Sequence, residues 1–243
     1  MNRYFVDKKN ILKDSIVIAR GEDVHHLARV LRVLPGEELY VSDGEGAAYI
    51  AVVERISGNE VILKIKQALK RVLRQDLPVV ISLACAMPKN VRFDEIIDKC
   101  TQLGIDEIIP IITHRSLVRE DIYDRKKERY ERVMISAAKQ SGVLFLPRLE
   151  SPLEFSGLLG KLADYDLCLL PNLLNKQLSI RSVAEDFKGR RILVIIGPEG
   201  DFTPEEIRAA TEAGCKAVSL GDSVLRVDTA AISSVGFLRL FFG

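Results

Sequence analysis

The sequence has no tryptophan, only four cysteines, and no apolar run that approaches the length of a membrane span. The cysteines, at positions 85, 100, 168 and 215, form no C-x-x-C pair, and the three histidines do not complete a zinc-binding spacing. We therefore expect no metal site, and we expect buried free thiols in a reducing compartment. The first residues lack the apolar segment of a signal peptide, so we predict a cytoplasmic protein that does not associate with membranes.

Neither sign of charge dominates, because 35 Lys and Arg residues stand against 34 Asp and Glu residues, for a formal net charge of +1. A nucleic-acid partner would therefore have to meet a local basic patch and not the whole molecular surface. Hydrophobic residues make up 47% of the 243 residues, which is typical of a soluble globular protein. A chain of this length forms one large domain or two modest ones.

The pattern of elements changes along the chain. Residues 1–72 read as short strands separated by Gly and Asn turns, with one amphipathic helix over 21–32, which favours a small β-barrel or curled sheet. From residue 78 strands alternate with helices, which indicates a mainly parallel α/β sheet. The charged stretch 70–76 separates the two patterns, and we predict domains over 1–72 and 73–243.

A strand that runs into a glycine-bounded turn is the most distinctive local feature. The strand 191–196 is followed by Gly197-Pro198-Glu199-Gly200, and Thr203 then stands at the N-cap of a helix with Pro204 at N1 and Glu206 at N3. This is a capping box, so the turn is fixed between a strand end and a helix start. Ligands bind at such ends of parallel strands, although a lone Gly-Pro-x-Gly more often only turns the chain. The turn is not a phosphate-binding P-loop or a dinucleotide fingerprint.

A second strand, near Leu220, also ends in a glycine. Its loop, residues 221–226, carries Arg226 and leads through Asp228 into an apolar helix. An arginine in a loop at a sheet edge is usually solvated. Its position beside a second glycine-bounded loop indicates instead that Arg226 faces a pocket.

Cations near helix starts are the third feature. Lys89 and Arg92 stand at the beginning of a predicted helix, where the helix dipole favours acids, which indicates a bound anion such as RNA phosphate. Between 115 and 132 lie seven Lys and Arg residues. Those within the predicted helix over 124–141 are best explained as an exposed charged face. Arg115, Ser116 and Arg119 precede that helix and are better candidates for RNA contact.

Taken in order, these segments resemble the SPOUT superfamily, and within it the RsmE-type small-subunit (16S) rRNA uridine-N3 methyltransferases. The resemblance extends over nearly the whole chain. It rests on Arg3-Tyr4-Phe5, His26-Leu27-x-x-Val30-Leu31-Arg32-x-x-x-Gly36, Lys89-x-x-Arg92-Phe93, Lys99-x-x-Gln102-Leu103-Gly104, Arg115-Ser116, Ala137-Ala138-x-Gln140-Ser141, Ile196-Gly197-Pro198-Glu199-Gly200 and Leu220-Gly221-x-x-x-Leu225-Arg226-x-Asp228-Thr229-Ala230. The order and spacing of these motifs together are specific.

The resemblance implies an α/β fold with a C-terminal SPOUT trefoil-knot domain, an N-terminal PUA-like β-barrel domain and a homodimer. It implies S-adenosylmethionine as the cofactor and 16S rRNA, within the small ribosomal subunit, as the substrate. The implied cofactor-binding residues are Leu170, Ile196, Gly197, Pro198, Glu199, Gly200, Leu220, Gly221, Ser223, Leu225 and Thr229. The implied RNA-binding residues are Arg3, His26, Arg29, Arg32, Lys89, Arg92, Arg115 and Ser116.

The reaction implied is methyl transfer to a uracil nitrogen that carries a proton at neutral pH. Arg226 is our candidate for stabilising the resulting anion, with Asp228 orienting it or accepting the proton. The chain departs from the family, which usually has Gly at position 201, Thr at 227 and Glu at 228, and often Arg at 143. Here these positions hold Asp201, Val227, Asp228 and Val143.

Two other functions remain open at this point. One is a SPOUT ribose 2′-O-methyltransferase, which the segment around Lys89 and Arg92 and the N-terminal barrel fit less well. The other is a non-catalytic RNA-binding assembly factor, which failure to bind S-adenosylmethionine would favour. A cysteine nucleophile, as in carbon-5 methylation of uracil, fits poorly, because all four cysteines lie in apolar contexts that raise the thiol pKa.

Overall fold

A computed structural model describes residues 3–19, 21–88, 92–116, 120–172 and 178–243. Within these residues the chain divides into two compact units. The first runs to Leu77 and also contains Ala138–Leu146, and the second contains Pro78–Ala137 and Pro147–Gly243. The limit between domains 1–72 and 73–243 remains a prediction from the sequence.

The first unit is built on a curled sheet in which strands follow the order β1-β3-β4-β5-β2. The strands are β1 (Arg3–Phe5), β2 (Ser15–Ile18), β3 (Glu38–Ser42), β4 (Ala47–Ile56) and β5 (Val61–Arg71). All their pairings are antiparallel except that of β1 with β3. Alternate side chains, among them Ile16, Val41 and Leu63, point to one apolar core. The predicted small β-rich unit is therefore confirmed.

The helix predicted over 21–32 consists of an α-helical part and a π-helical part. It begins as α1 (Gly21–His25), continues as a π-helix over His26–Leu31, and ends at Arg32 in the left-handed conformation, with φ 52°. Val24 and Leu27 are buried as the apolar period predicts, but Leu31 is exposed. The i→i+5 bonding of a π-helix explains this difference, because it turns later residues away from the α-helical face.

The second unit contains a parallel sheet with helices on both faces. Its strands are β6 (Val80–Ala86), β7 (Glu107–Ile112), β8 (Arg148–Leu149), β9 (Leu153–Glu154), β10 (Leu167–Pro171), β11 (Leu178–Ser179), β12 (Arg191–Ile196) and β13 (Lys216–Ser219). Its helices are α2 (Arg92–Gln102), α3 (Glu120–Ser141, whose last turn belongs to the first unit), α4 (Phe155–Leu159), α5 (Ile180–Glu185), α6 (Pro204–Glu212) and α7 (Val227–Phe242). The strand order is β11-β13-β10-β12-β6-β7-β8, with β9 paired to β7.

The central strand β12 explains why the sequence contains a continuous apolar run. Ile192, Val194 and Ile196 belong to the apolar layer shared with α2 and α7. Leu193 and Ile195 belong to the layer on the other face, shared with α4 and α6. Both faces of a parallel sheet are covered, so neither set of alternating side chains is polar. The predicted mixed α/β fold is confirmed, and the trefoil knot remains a prediction.

Several elements differ from the sequence-based expectation. Residues 178–185 form the short strand β11 followed by α5, which begins where Ser179 accepts a hydrogen bond from the backbone N of Ser182, so this part of the chain does not follow a simple strand–helix alternation. The two-residue strands β8 and β9 carry too little pattern to be predicted. Among the helices in the described ranges, none combines the length and the apolar character that a membrane span requires.

Candidate active site

The two glycine-bounded loops lie together at the carboxyl edge of the parallel sheet. The first follows β12 and the second follows β13, and β10 lies between these two strands. Parallel strands end at the same edge, so both loops and the residues after β10 surround one cavity of about 280 Å³. This volume is at the lower end of the range for small-molecule sites, roughly 300 Å³ and above.

The first loop is held in shape at both ends. The backbone N of Asp201 donates to the carbonyl of Pro198 at 2.9 Å, which closes a turn, and Asp201 itself has φ 57°. Asp201 thus has a left-handed backbone, a conformation that glycine adopts without strain, and its Oδ1 accepts a hydrogen bond from the backbone N of Phe202. At the start of α6 the predicted capping box is confirmed, because Thr203 and Glu206 each bond the other's backbone N.

The second loop also needs its glycine. Gly221 has φ 119°, a backbone conformation that residues with an L side chain rarely adopt. The backbone N of Gly221 donates a hydrogen bond to Ser219 Oγ at 3.1 Å. The loop ends at Arg226, whose extended backbone is the N-cap of α7 and whose carbonyl accepts the first helical bond from Ala230. The backbone of this loop therefore places the Arg226 side chain at the cavity.

Of the predicted cofactor-binding residues, most line the cavity. Those that do are Ile196, Gly197, Pro198, Glu199, Leu220, Gly221, Ser223 and Leu225. Leu170, Gly200 and Thr229 are described by the structure but are not part of its lining. Leu170 points into the apolar layer beneath α4 and α6. Six further residues line the cavity but were not predicted from the sequence: Pro171, Asn172, Asp201, Val224, Val227 and Ala230. Their sequence signal is their position, at or just after the end of β10, within the two loops, or in the first turn of α7.

Two cations and three acids determine the charge at this site: Glu199 and Asp201 line the cavity, and Asp228 is not part of its lining. Arg226 lines the cavity, and within the described ranges its guanidinium has no hydrogen-bond or ion-pair partner. Arg92 also lines it and lies 3.9 Å from the Glu199 carboxylate. Asp228, in the first turn of α7, has a buried Oδ1 with no hydrogen-bond partner. Among the ion pairs of the described residues none joins Arg226 to Asp228, and the orienting role of Asp228 remains a prediction.

A thiol lies close to these acids. Cys85 pairs in register with Ile196, and it is fully buried. Burial, together with Cys100 and the carboxylates of Glu199 and Asp228, raises the pKa of the Cys85 thiol well above its ordinary value. A thiol of this kind stays protonated and is a poor nucleophile. No cluster of His, Cys, Asp and Glu suited to a metal ion occurs among the residues described.

The predicted RNA-binding residues are distributed over both units. In the first unit, Arg3 lies over the ring of Tyr40, and His26 Nδ1 is 2.9 Å from the Tyr4 hydroxyl. Arg29 and Arg32 are exposed. Lys89 and Arg119 lie outside the described residues.

In the second unit, three of the predicted RNA contacts have protein partners, and that of Arg92 is the Glu199 carboxylate described above. Arg115 donates hydrogen bonds to the carbonyls of Gly200 and Phe202. Ser116 Oγ accepts a hydrogen bond from the backbone N of Thr113, which closes a local turn. The predicted contacts of Arg115 and Ser116 with RNA remain predictions.

Comparison with known proteins places this site in a family. Residues 75–239 match the family described as an RNA methyltransferase domain, and residues 19–66 match that described as an RNA methyltransferase PUA domain. The chain is 33% identical to the ribosomal RNA small subunit methyltransferase E of a Synechocystis strain, over 94% of this chain and 74% of that protein. It is 29% identical to the Bacillus subtilis protein of the same name, over 98% of this chain and 96% of that protein.

Solved structures agree with this placement. The ribosomal RNA small subunit methyltransferase E of Neisseria gonorrhoeae, bound to S-adenosylmethionine, superposes with a TM-score of 0.84 at 26% identity and covers 100% of this chain and 98% of its own. A Legionella pneumophila methyltransferase in complex with the same cofactor also gives 0.84, at 28% identity, over 98% of this chain and 96% of its own. The chain therefore belongs to the ribosomal RNA small subunit methyltransferase E family, with an RNA methyltransferase domain that carries the cavity and a PUA domain before it.

Proposed function

We propose that this protein transfers a methyl group from S-adenosylmethionine to N3 of a uridine in 16S rRNA, within the small ribosomal subunit. The observation that carries the proposal is the cavity formed by two glycine-bounded loops inside the stretch that matches the RNA methyltransferase domain. Relatives named as small-subunit rRNA methyltransferases, and related structures with this cofactor bound, support the same assignment. A substrate on the ribosome also supports a cytoplasmic location.

The cavity fits an adenosine-containing cofactor in its chemistry. Apolar walls from Ile196, Leu220 and Leu225 suit an adenine ring, while Gly197 and Gly221 allow close approach to backbone N–H and carbonyl groups. Glu199 and Asp201 place carboxylates in the wall. A positively charged ligand with hydroxyl and amino donors matches this set of acceptors.

Arg226 in the cavity lining and Asp228, two residues further along the chain, are our candidates for the steps that the reaction needs. When bound, S-adenosylmethionine supplies a methyl group activated by a sulfonium charge. Transfer of this methyl group to uracil N3 would require the N3 proton to leave, so the site needs one group that stabilises the anionic uracil and another that accepts the proton. Arg226 has no protein partner among the described residues, so it is available to stabilise the anionic uracil oxygen. Asp228 is our candidate proton acceptor, because its Oδ1 is unpaired.

We also propose that residues 1–72 form a domain that holds the rRNA. Arg29 and Arg32 are exposed on the π-helix and its left-handed end. Exposed arginines of this kind bind phosphates without reading sequence, so their removal should weaken RNA binding and reduce its salt dependence.

A homodimer is the proposed oligomeric state. Apolar side chains on the second unit support a second copy of the chain, since Leu240 is 85% exposed and Val224 is 76% exposed. Light scattering should give twice the chain mass, and Leu240→Glu should shift it toward the monomer. Leu178→Glu, at another exposed leucine, is the matched control and should leave the mass unchanged. A monomeric wild-type protein would contradict this part of the proposal.

The decisive test of the reaction is methylation of small ribosomal subunits that lack the modification, with the labelled nucleoside identified by mass spectrometry. We expect 3-methyluridine. A 2′-O-methylated nucleoside would assign the protein to the ribose methyltransferases, and failure to bind S-adenosylmethionine would favour the non-catalytic assembly factor.

The role of Arg226 is tested separately. Arg226→Ala should lower kcat by roughly 100-fold or more with little change in cofactor affinity, because the cation acts on charge that develops during transfer. Arg181→Ala removes an exposed arginine that pairs with Glu185 along its own helix, and it serves as the matched control. Lost cofactor affinity in Arg226→Ala would instead give Arg226 a role in cofactor binding.

A further inference from the structure

Arg115 is bonded to the first loop of the cavity. Its Nη1 donates to the carbonyl of Gly200 at 2.6 Å and to that of Phe202 at 3.3 Å. These two carbonyls flank Asp201, which has the left-handed backbone. One guanidinium nitrogen therefore bonds the carbonyl of the residue before Asp201 and the carbonyl of the residue after it.

The stem of Arg115 also lies against this loop. A Cβ atom placed on Gly200 would be 3.4 Å from Arg115 Cδ and 3.7 Å from Arg115 Cβ, which is van der Waals contact distance. Gly200 thus presents bare backbone to the arginine side chain along its length. The contact consists of packing as well as hydrogen bonds.

A second, independent set of hydrogen bonds connects segment 113–116 with the end of the first loop and the start of α6. The Glu206 carboxylate accepts a hydrogen bond from the backbone N of His114 through Oε1 and one from the backbone N of Thr203 through Oε2, each at 2.8 Å. The turn between Thr113 and Ser116 fixes the backbone that carries Arg115. Segment 113–116 is therefore attached to the loop at two points and is itself rigid.

The residues that Arg115 holds alternate with those that line the cavity. Pro198, Glu199 and Asp201 line it, whereas the carbonyls that Arg115 bonds belong to Gly200 and Phe202. We propose that Arg115 is a positioning residue, which fixes the 198–202 turn in the shape that receives the methyl donor. The identity of that donor rests on the proposed function, and the resemblance had implied an RNA contact for this residue.

The experiment compares Arg115→Ala and Arg115→Lys with the wild-type chain by calorimetric titration with S-adenosylmethionine in the absence of RNA. We expect Arg115→Ala to weaken cofactor affinity about tenfold, because the turn loses the donor that spans Asp201. Arg115→Lys should recover part of that loss, since an ammonium can still donate to one carbonyl. Arg208→Ala, on the exposed side of α6, is the matched control and should bind as the wild type does.

RNA affinity, measured on a 16S rRNA fragment at two salt concentrations, separates positioning from phosphate contact. If Arg115 positions the turn, Arg115→Ala should change RNA affinity less than twofold and leave the salt dependence of RNA binding unchanged. Unchanged cofactor affinity, with RNA affinity several times weaker and a smaller salt dependence, would overturn the proposal. Faster hydrogen exchange of the 200–203 amides in Arg115→Lys gives a readout that does not require the alanine variant to be stable.

The two proposals fail in different ways. Wild-type protein that binds S-adenosylmethionine but methylates no rRNA would contradict the proposed reaction and leave the role of Arg115 standing. Wild-type protein that does not bind the cofactor would overturn both.

Discussion

The ring of Phe202 lies 2.9 Å from the point that a Cβ atom on Gly197 would occupy. Phe202 is buried, and its ring packs on that of Phe155 with centroids 5.2 Å apart, so it cannot move away freely. The absence of a side chain at Gly197 is therefore a steric requirement of the turn. It brings the end of β12 and the ring beneath the loop into direct contact.

Gly197→Ala should displace either the Phe202 ring or the loop backbone. Overpacking of this kind costs about 1–3 kcal/mol of unfolding free energy, and we also expect cofactor affinity to fall at least tenfold. Gly157→Ala, in α4 with open space around its added Cβ, is the matched control: it should leave cofactor affinity unchanged and raise stability by up to about 1 kcal/mol, because alanine favours the helix over glycine. Urea unfolding and calorimetric titration measure the two effects. Wild-type affinity in Gly197→Ala would show that the loop adapts.

Asp201 differs from Gly197, because its energetic cost comes from a left-handed backbone conformation and not from a steric contact. Its φ of 57° is tolerated by Asp and Asn far better than by Ala, and Oδ1 also binds the Phe202 backbone N. We expect Asp201→Ala to destabilise the protein by about 1 kcal/mol and Asp201→Gly to remain within about 0.5 kcal/mol of wild type. Chemical denaturation of both variants tests this, and equal stability of all three proteins would mean that the turn stores no strain.

Local sequence rules predicted much of this loop and little of what surrounds it. The capping box of Thr203 and Glu206 follows from three positions in one segment, and the structure confirms it. The contact of Arg115 with the Gly200 carbonyl joins residues 85 positions apart, and an arginine has the same local pattern whether its partner is a carbonyl or a phosphate. Long-range partners of flexible charged side chains therefore lay beyond sequence reasoning.

Local sequence patterns also do not predict the type of helix or the shortest strands. The apolar period of 21–32 indicates a helix, but it does not distinguish α from π hydrogen bonding, which here moves Leu31 out to solvent. Strands of two residues, such as β8 and β9, depend on the neighbouring β7 for their pairing and have no period of their own. Long buried strands with turn signals at both ends, such as β12, were predicted with the correct bounds.

A buried ion pair in the first unit gives a third prediction. Lys139 Nζ bonds Asp23 Oδ1 and lies 5.2 Å from the centroid of the Tyr4 ring, while Asp23 Oδ2 is buried without a partner. Lys139→Met leaves the Asp23 carboxylate buried without its cation, so we expect a loss of about 3 kcal/mol. Adding Asp23→Asn should restore part of that stability, and urea unfolding of the single and double variants measures the coupling. Additive losses would contradict the ion-pair interpretation.

The pH dependence of stability should depend in part on Glu107, at the amino end of β7. Burial raises the pKa of this carboxyl, but hydrogen bonds from Ser82 and Tyr165 together with Arg148 outweigh burial and lower the pKa below its usual value. The pKa of Tyr165 is raised to about 12, mainly by burial, so its hydroxyl remains a donor at neutral pH.

A carboxyl whose pKa is lower in the folded state stabilises the protein above its unfolded pKa, near 4.3, and loses that contribution as the pH falls through the folded value. Glu107→Gln should therefore cost about 1–3 kcal/mol at pH 7, and its difference from wild type should shrink below about pH 4. Glu150→Gln, which removes the more exposed partner of Arg148, is the matched control and should change stability by less than about 0.5 kcal/mol. Urea unfolding at several pH values measures both variants. A Glu107→Gln deficit that stays constant from pH 7 to pH 3 would mean that the carboxylate charge contributes nothing and that packing alone explains the loss.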